Sequence, residues 1–430
     1  MAKASKQEKT AKKGDKDVVP TNAHTATPTI RWQIEPEEYA TRVDRTRREM
    51  EARGLDALVL YHPLRMAYVS GFFHVTTERP MAIVVTQDGG LGALIPQLEQ
   101  EHIAKSPGVD RVRVYPEYPT GGGKHPQHHL ADLLTEMGVN RAGATIGCDG
   151  LNYIDANGYD GPLLKEVVDA GATVKRARDL IDKLRYIKSE AELLFIRESC
   201  VWGNLAHRLM QEKLALGRSP MDISHEAATE ASRTMIAALG PGYQPLTNHW
   251  GMPATVMFHA GSTTSLPHGL PDAPGLRRGD ILVTGAGADV GGYNSELERT
   301  MIIGEPSPDF EQHFGYMMLL QQAAFDALRP GRTLAEAEAD VVALYAELGI
   351  AHMQRHHSGH AIGLDFHEPP FIDLGDETVI APGMCFTVEP GVYVPGLGGF
   401  RHSDTVVIRD FGSERFTFYP RDLESMIVRL

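Results

Sequence analysis

The chain has 430 residues, 42% hydrophobic, 7% aromatic and 23% charged, a globular composition long enough for two or three domains, which excludes a fibre, a mini-protein and a wholly disordered chain. Lys plus Arg number 42 against 56 Asp plus Glu, a formal charge of -14, so counterion-driven binding to phosphate has no electrostatic basis and neither nucleic acid nor an anionic membrane is an expected partner. The three cysteines, Cys148, Cys200 and Cys385, show no CxxC-type spacing and read as small buried apolar side chains.

Residues 1–31 carry six lysines by position 16 among Ser, Thr, Ala and acids, without the apolar core of a signal peptide, and are expected to be a disordered leader on a cytoplasmic protein. From Pro36 to Leu55, the recurrence of Tyr39, Val43, Met50 and Leu55 among charges predicts an amphipathic helix. Ala57 to Leu60, Met81 to Thr86, Leu91 to Ile95 and Val112 to Tyr115 are short apolar runs separated by turn signals, as in a sheet with intervening helices. The Pro-, Gly- and His-rich stretch 116–129 is expected to be a loop, Leu130 to Met137 a helix and Thr145 to Cys148 a strand. This α/β unit is assigned to 32–180. Ser189 with Glu192 is a capping box, so the periodic Leu193, Ile196, Cys200, Leu205 and Met210 predict a long helix ending near Gly217. It opens a second domain, 181–430, with strands expected at Ala254 to Phe258, Ile281 to Thr284, Thr300 to Ile303, Cys385 to Val388 and Thr405 to Ile408, and helices near 309–328 and 334–348. No run approaches the ~20 apolar residues of a membrane helix.

Polar residues with catalytic potential gather after position 250 in four segments. In Thr264-Ser265-Leu266-Pro267-His268-Gly269 a histidine follows proline in a turn, which exposes its imidazole. In Gly292-Tyr293-Asn294-Ser295-Glu296-Leu297-Glu298-Arg299-Thr300, strand alternation sends Glu296 and Glu298 to one face. Carboxylates so placed repel unless a metal, a bound guanidinium-like group or partner Arg residues lie between them. The third segment, His356-His357-Ser358-Gly359-His360-Ala361-Ile362-Gly363, runs on to His367-Glu368-Pro369-Pro370. His360 and His367 are seven apart, but the glycines and prolines argue against a helix, so spacing alone does not join the two rings. The fourth, Val388-Glu389-Pro390-Gly391 followed by Gly398-Gly399-Phe400-Arg401-His402-Ser403-Asp404, sets a carboxylate at a strand end before a polar strand.

In this order the four segments resemble the pita-bread superfamily, the fold of methionine aminopeptidase, Xaa-Pro aminopeptidase, prolidase and creatinase. The resemblance covers 181–430, and Tyr68-Val69-Ser70-Gly71-Phe72 resembles the Tyr-x-Ser-Gly turn of the creatinase/prolidase amino-terminal domain. It implies an α/β (α+β) chain, a creatinase-type amino-terminal α/β domain followed by a pita-bread catalytic domain, and a homodimer. Peptidases of this superfamily hold two divalent ions with two Asp, one His and two Glu. On that pattern Gly285 stands at the first Asp, Glu296 at the second, His360 and Glu389 at their own positions, and Ser403 at the last carboxylate. Two matched carboxylates do not balance two divalent ions, although Asp289, His402 or Asp404 could be recruited. No cofactor is therefore the preferred reading, and one or two divalent ions (Mn, Co or Zn) on Glu296, His360 and Glu389 the alternative.

Leu297-Glu298-Arg299-Thr300 resembles creatinase, which lacks the metals and uses a histidine with carboxylates that hold a guanidinium. By that resemblance His268 is the general base and acid, Glu298 and Glu389 hold the cationic or amide end, and His360 and His367 donate hydrogen bonds. Glu296 completes the substrate site, and Arg79 reaches a substrate carboxylate in the neighbouring subunit unless it pairs with Glu78. The expected function is thus metal-independent hydrolysis of a C–N bond in a small substrate. A metal-dependent Xaa-Pro aminopeptidase or dipeptidase acting on a dipeptide-like substrate is the alternative, and a non-catalytic pita-bread binding protein the second.

Overall fold

Strand β1 (Ala57–Leu60) is four apolar residues in a row, all fully buried, and such a run fits only the interior of a sheet covered on both faces. The computed structural model describes residues 32–116, 123–150, 161–247, 252–269 and 274–430, and 32–430 form one compact unit. The expected leader, 1–31, lies outside the described residues, as does part of the expected 116–129 loop. With β2 (Ala82–Thr86), β3 (Leu91–Pro96), β4 (Val109–Tyr115), β5 (Thr145–Cys148) and β6 (Thr173–Arg176), β1 builds a six-stranded sheet in the order β4-β3-β2-β1-β5-β6. Helix Pro36–Ala52 buries Tyr39, Val43 and Met50 beneath it, as the apolar spacing predicts. The expected Tyr-x-Ser-Gly turn is instead the end of helix Pro63–Ser70, where Gly71, at φ 71°, takes the left-handed cap conformation that a side chain would oppose.

The second sheet, of ten strands, is built on β7 (Ala254–Ala260), β8 (Ile281–Val290), β10 (Leu297–Ile303), β11 (Gly359–Ala361), β12 (Glu368–Ile372), β13 (Cys385–Val388) and β16 (Ser403–Arg409), in the order β12-β11-β13-β16-β10-β8-β7. Short β9 (Tyr293–Asn294), β17 (Gly412–Arg415) and β18 (Ile427–Val428) flank it, and β14 (Gly391–Val394) pairs with β15 (Gly398–Arg401) in a separate hairpin. Helices Glu190–Glu212 and Pro220–Leu239 cover β7 and β8, while Pro308–Ala327 and Leu334–Glu347 pack together. The helix Pro220–Leu239 follows the predicted stop at Gly217 after one short turn, with Ser219 capping it and Pro220 at its first position. Among the described residues, no helix is long and apolar enough to cross a membrane.

One buried polar link ties the first sheet's segments to the second's, and a second fastens the segment that follows the first sheet. Arg42 donates to the Tyr293 hydroxyl at 2.9 Å, and that hydroxyl donates to Glu192 at 2.8 Å. The other Glu192 oxygen closes the expected capping box by accepting from the Ser189 N–H. Arg185 and Lys188 both bind Glu368, with Lys188 Nζ at 2.8 Å, and so fix the backbone next to His367.

Candidate active site

Sheet register decides which side chains meet. Glu298 lies opposite Gly285 of β8 on one side and opposite Ser403 of β16 on the other, so these three positions form one cross-strand row. Glu296, just before β10, is held by its N–H to Thr405 Oγ1 at 3.0 Å and accepts from the Ser403 hydroxyl at 2.6 Å. Glu389 directly follows β13, its N–H donating to the Ser358 carbonyl at 2.8 Å. The carboxylates of Glu296, Glu298 and Glu389 each place an oxygen within 4.8 Å of the others, and all three residues are buried.

Arg401, at the end of β15, is what makes this tolerable. Its guanidinium grips Glu298 with two nitrogens, Nη2 at 2.6 Å from Oε1, and its Nε stands 3.7 Å from Glu389 Oε2. Of the three partners that sequence allows for the paired carboxylates, the chain supplies its own arginine to Glu298. Burial pushes Glu296 well above the usual carboxylate range, helped by Glu389 and Glu298. Burial also acts on Glu389, but Arg401 and the neighbouring histidines outweigh it and hold that carboxyl low.

His360 faces this cluster with no counter-group of its own. Its Nδ1 is 3.0 Å from the Ala361 carbonyl, which fixes the proton there and leaves the lone pair on Nε2. That Nε2 is buried without a hydrogen-bond partner, 3.4 Å from Glu389 Oε1 and 3.8 Å from Glu296 Oε2. A lone pair aimed at two carboxylates needs a positive centre between them. Desolvation by burial pushes the His360 imidazole down and keeps it neutral, as a metal ligand must be.

The backbone between β11 and β12 folds His367 back so that its ring stacks on His360, centroids 3.6 Å apart, although spacing alone could not place them together. His367 keeps an exposed edge, and the desolvation of its stacked side, with His360 beside it, pushes it down to about 4. One nitrogen of His367 lies in a second ligand-competent group with Glu296 and His360. His268 is exposed in the turn after Gly261–Ser265, close enough to His367 to act on its charge. Arg79 pairs with Glu78 at 2.8 Å. Beside Phe366 a cavity of about 570 Å³ opens, lined by His62, Phe73, Leu246, Asn294 and Leu364 among others.

The other recruits named from the sequence do not join. Asp404 is taken by Arg299 at 2.8 Å, Asp289 accepts from the Thr247 N–H at 2.7 Å, and His402 packs its ring edge against Phe314. Sequence reasoning did not single out Arg401, whose signal was its place at the end of β15, two residues before Ser403. Nor did it single out Tyr393, whose hydroxyl sits 2.8 Å from His356 Nε2 and 3.3 Å from Arg401.

A profile of metallopeptidase family M24 matches residues 195–410, and one of the creatinase/prolidase N-terminal domain matches 42–187. A "Probable dipeptidase PepE" of Mycobacterium tuberculosis is 28% identical over 406 residues, covering 91% of this chain and 97% of that protein. An Xaa-Pro dipeptidase of Pyrococcus furiosus is 27% identical over 384 residues, covering 89% and 99%. The solved dipeptidase PepE of Mycobacterium ulcerans superposes with a TM-score of 0.75 at 27% identity, covering 93% of this chain and all (100%) of that one. The expected pita-bread fold with its creatinase-type N-terminal domain is thereby established.

The expected metal-independent, creatinase-like hydrolase is corrected: the relatives are dipeptidases, and the carboxylate meant for a cationic substrate, Glu298, is already filled by Arg401. The preference for no cofactor is corrected too, because the relatives are dipeptidases, the matching family profile is that of a metallopeptidase, and two ligand-competent triads meet at Glu296, one with His360 and His367 and one with Glu298 and Glu389, with His360 Nε2 left without a partner. These residues fit one ion. They do not fit the full pair, since Gly285 offers no ligand and the Ser403 hydroxyl is spent on Glu296. The chain is a hydrolase, and it belongs to metallopeptidase family M24.

Proposed function

We propose that this chain is a metal-dependent dipeptidase of the Xaa-Pro type, with Glu296, His360 and Glu389 as ligands of a divalent ion. The observation that carries the reading is the bare, buried Nε2 of His360 directed at two carboxylates. A divalent ion there supplies Lewis acidity toward an amide carbonyl and toward water near neutral pH. His367, whose imidazole burial holds neutral, keeps an exposed edge from which it can donate to the peptide, and the exposed His268 can carry a proton to the departing nitrogen. The cavity of about 570 Å³ beside Phe366 suits a substrate of dipeptide size. In the same proposal the chain divides near residue 181, is cytoplasmic and forms a homodimer.

A panel of Xaa-Pro dipeptides, other dipeptides, Xaa-Pro tripeptides and creatine, assayed with Mn²⁺, Co²⁺ or Zn²⁺, tests it. Cleavage confined to dipeptides is the expected result. Turnover of creatine with no dipeptide cleaved would refute it.

A further inference from the structure

We propose that the guanidinium of Arg401 takes the place of one of the two cations of the family pattern, so that the site holds a single divalent ion, and that Glu298 is the residue that keeps the guanidinium there. This rests on the metal-dependent reading above.

The two positions at which this chain lacks a family carboxylate, Gly285 and Ser403, are the two cross-strand neighbours of Glu298. Side chains in one row share one volume, so what is lost on either side can be supplied from the middle. Glu298 does enter that volume: a Cβ on Gly285 would lie 3.6 Å from Glu298 Oε1. The carboxylate therefore occupies space that a side chain at 285 would otherwise reach, and it brings Arg401 with it.

Glu389 divides the site. Its Oε1 faces His360 at 3.4 Å, and its Oε2 faces Arg401 at 3.7 Å. One side thus ends in a bare imidazole nitrogen and the other in a fixed cation. Three carboxylates, Glu296, Glu298 and Glu389, against one guanidinium leave two formal negative charges, the complement of one divalent ion. Among the described residues, a second divalent ion would stand next to Arg401 with no carboxylate left to balance it, and an unbalanced buried charge is costly. Asp404 cannot serve, since Arg299 holds it at 2.8 Å with both side chains fully buried.

The test is a calorimetric titration of the chelator-stripped full chain with Mn²⁺, with bound metal counted by elemental analysis. The parent should bind one ion per chain, and Arg401→Gln, which frees Glu298 and Glu389, should bind two. Two ions in the parent, or still one in Arg401→Gln, overturns the proposal. No ion in the parent overturns the metal-dependent reading on which it rests. If Arg401→Gln loses the parent circular dichroism, Glu298→Gln decides. The released guanidinium then competes for Glu389, and Mn²⁺ affinity should fall by about tenfold or more with the stoichiometry unchanged, as when the partner of a metal ligand is lost. Unaltered affinity in Glu298→Gln overturns it.

Discussion

Between Gly285 and Ser403 the carboxylate of Glu298 lies in a row of small side chains, and its charge is met by Arg401 rather than by anything from solution. The unmet demand sits at His360, whose Nε2 has carboxylates around it and no donor. His360→Ala should therefore weaken Mn²⁺ binding by about a hundredfold or more, beyond the effect of losing a mere partner of a ligand. Calorimetry on the chelator-stripped variant checks this, and parental affinity would remove His360 from the site. Glu368 presents the opposite case. It accepts from both Arg185 and Lys188, which outweigh the effect of burial and hold its carboxyl low. Glu368→Ala leaves two buried cations without their anion and should cost about 3–5 kcal/mol in unfolding free energy, measured by urea denaturation.

At the scale of elements, the turn that presents His268 is fastened to the strand that presents Arg401. The Gly399 N–H donates to Thr264 Oγ1 at 2.9 Å, and a Cβ on Gly399 would lie only 2.1 Å from the Thr264 carbonyl oxygen. Gly399→Ala must push the turn and strand apart, at a cost of about 1–3 kcal/mol. It should also raise KM by moving His268 away from His367, and kinetics with a cleaved dipeptide read this out. Parental stability and KM would show that the contact positions nothing. Alternation makes the shared face of Glu296 and Glu298 legible from sequence, because it depends on neighbours two apart. Their partners are not legible in the same way. Arg401 is 103 residues from Glu298 along the chain, and its arrival is set by the order in which β8, β10, β16 and the β14–β15 hairpin assemble. The stacking of His367 on His360 has the same origin, a hairpin register that Gly and Pro spacing does not encode. Motif order was enough for the fold and for five of the positions around the cluster, while the counter-charge that overturns the creatinase-like reading needed tertiary structure.

For the molecule as a whole, buried neutral histidines add to the loss of stability in acid. His207 is fully buried, its Nε2 2.7 Å from Thr284 Oγ1, with Arg299, Tyr419 and His402 the charged and titratable groups around it. Desolvation and then Arg299 push it down to about 3. Because the folded pKa lies below that of the unfolded chain, the unfolded state binds the extra proton. The contribution is fully present above about pH 6.5 and is lost as pH falls from there toward 3. Each such group steepens the loss by up to about 1.4 kcal/mol per pH unit. His207→Phe should flatten the dependence of the urea midpoint on pH between 6.5 and 4, and a parental slope would assign the acid sensitivity elsewhere.

The family match, the dipeptidase relatives and the bare nitrogen of His360 converge on hydrolysis that depends on a divalent ion. The most direct test follows dipeptide cleavage and Mn²⁺ occupancy together in one titration of chelator-stripped protein. Activity should be absent at zero occupancy, rise in proportion to bound ion and reach its plateau when the His360 site is filled. Full turnover of a dipeptide by the stripped protein, unchanged as the ion binds, would contradict it.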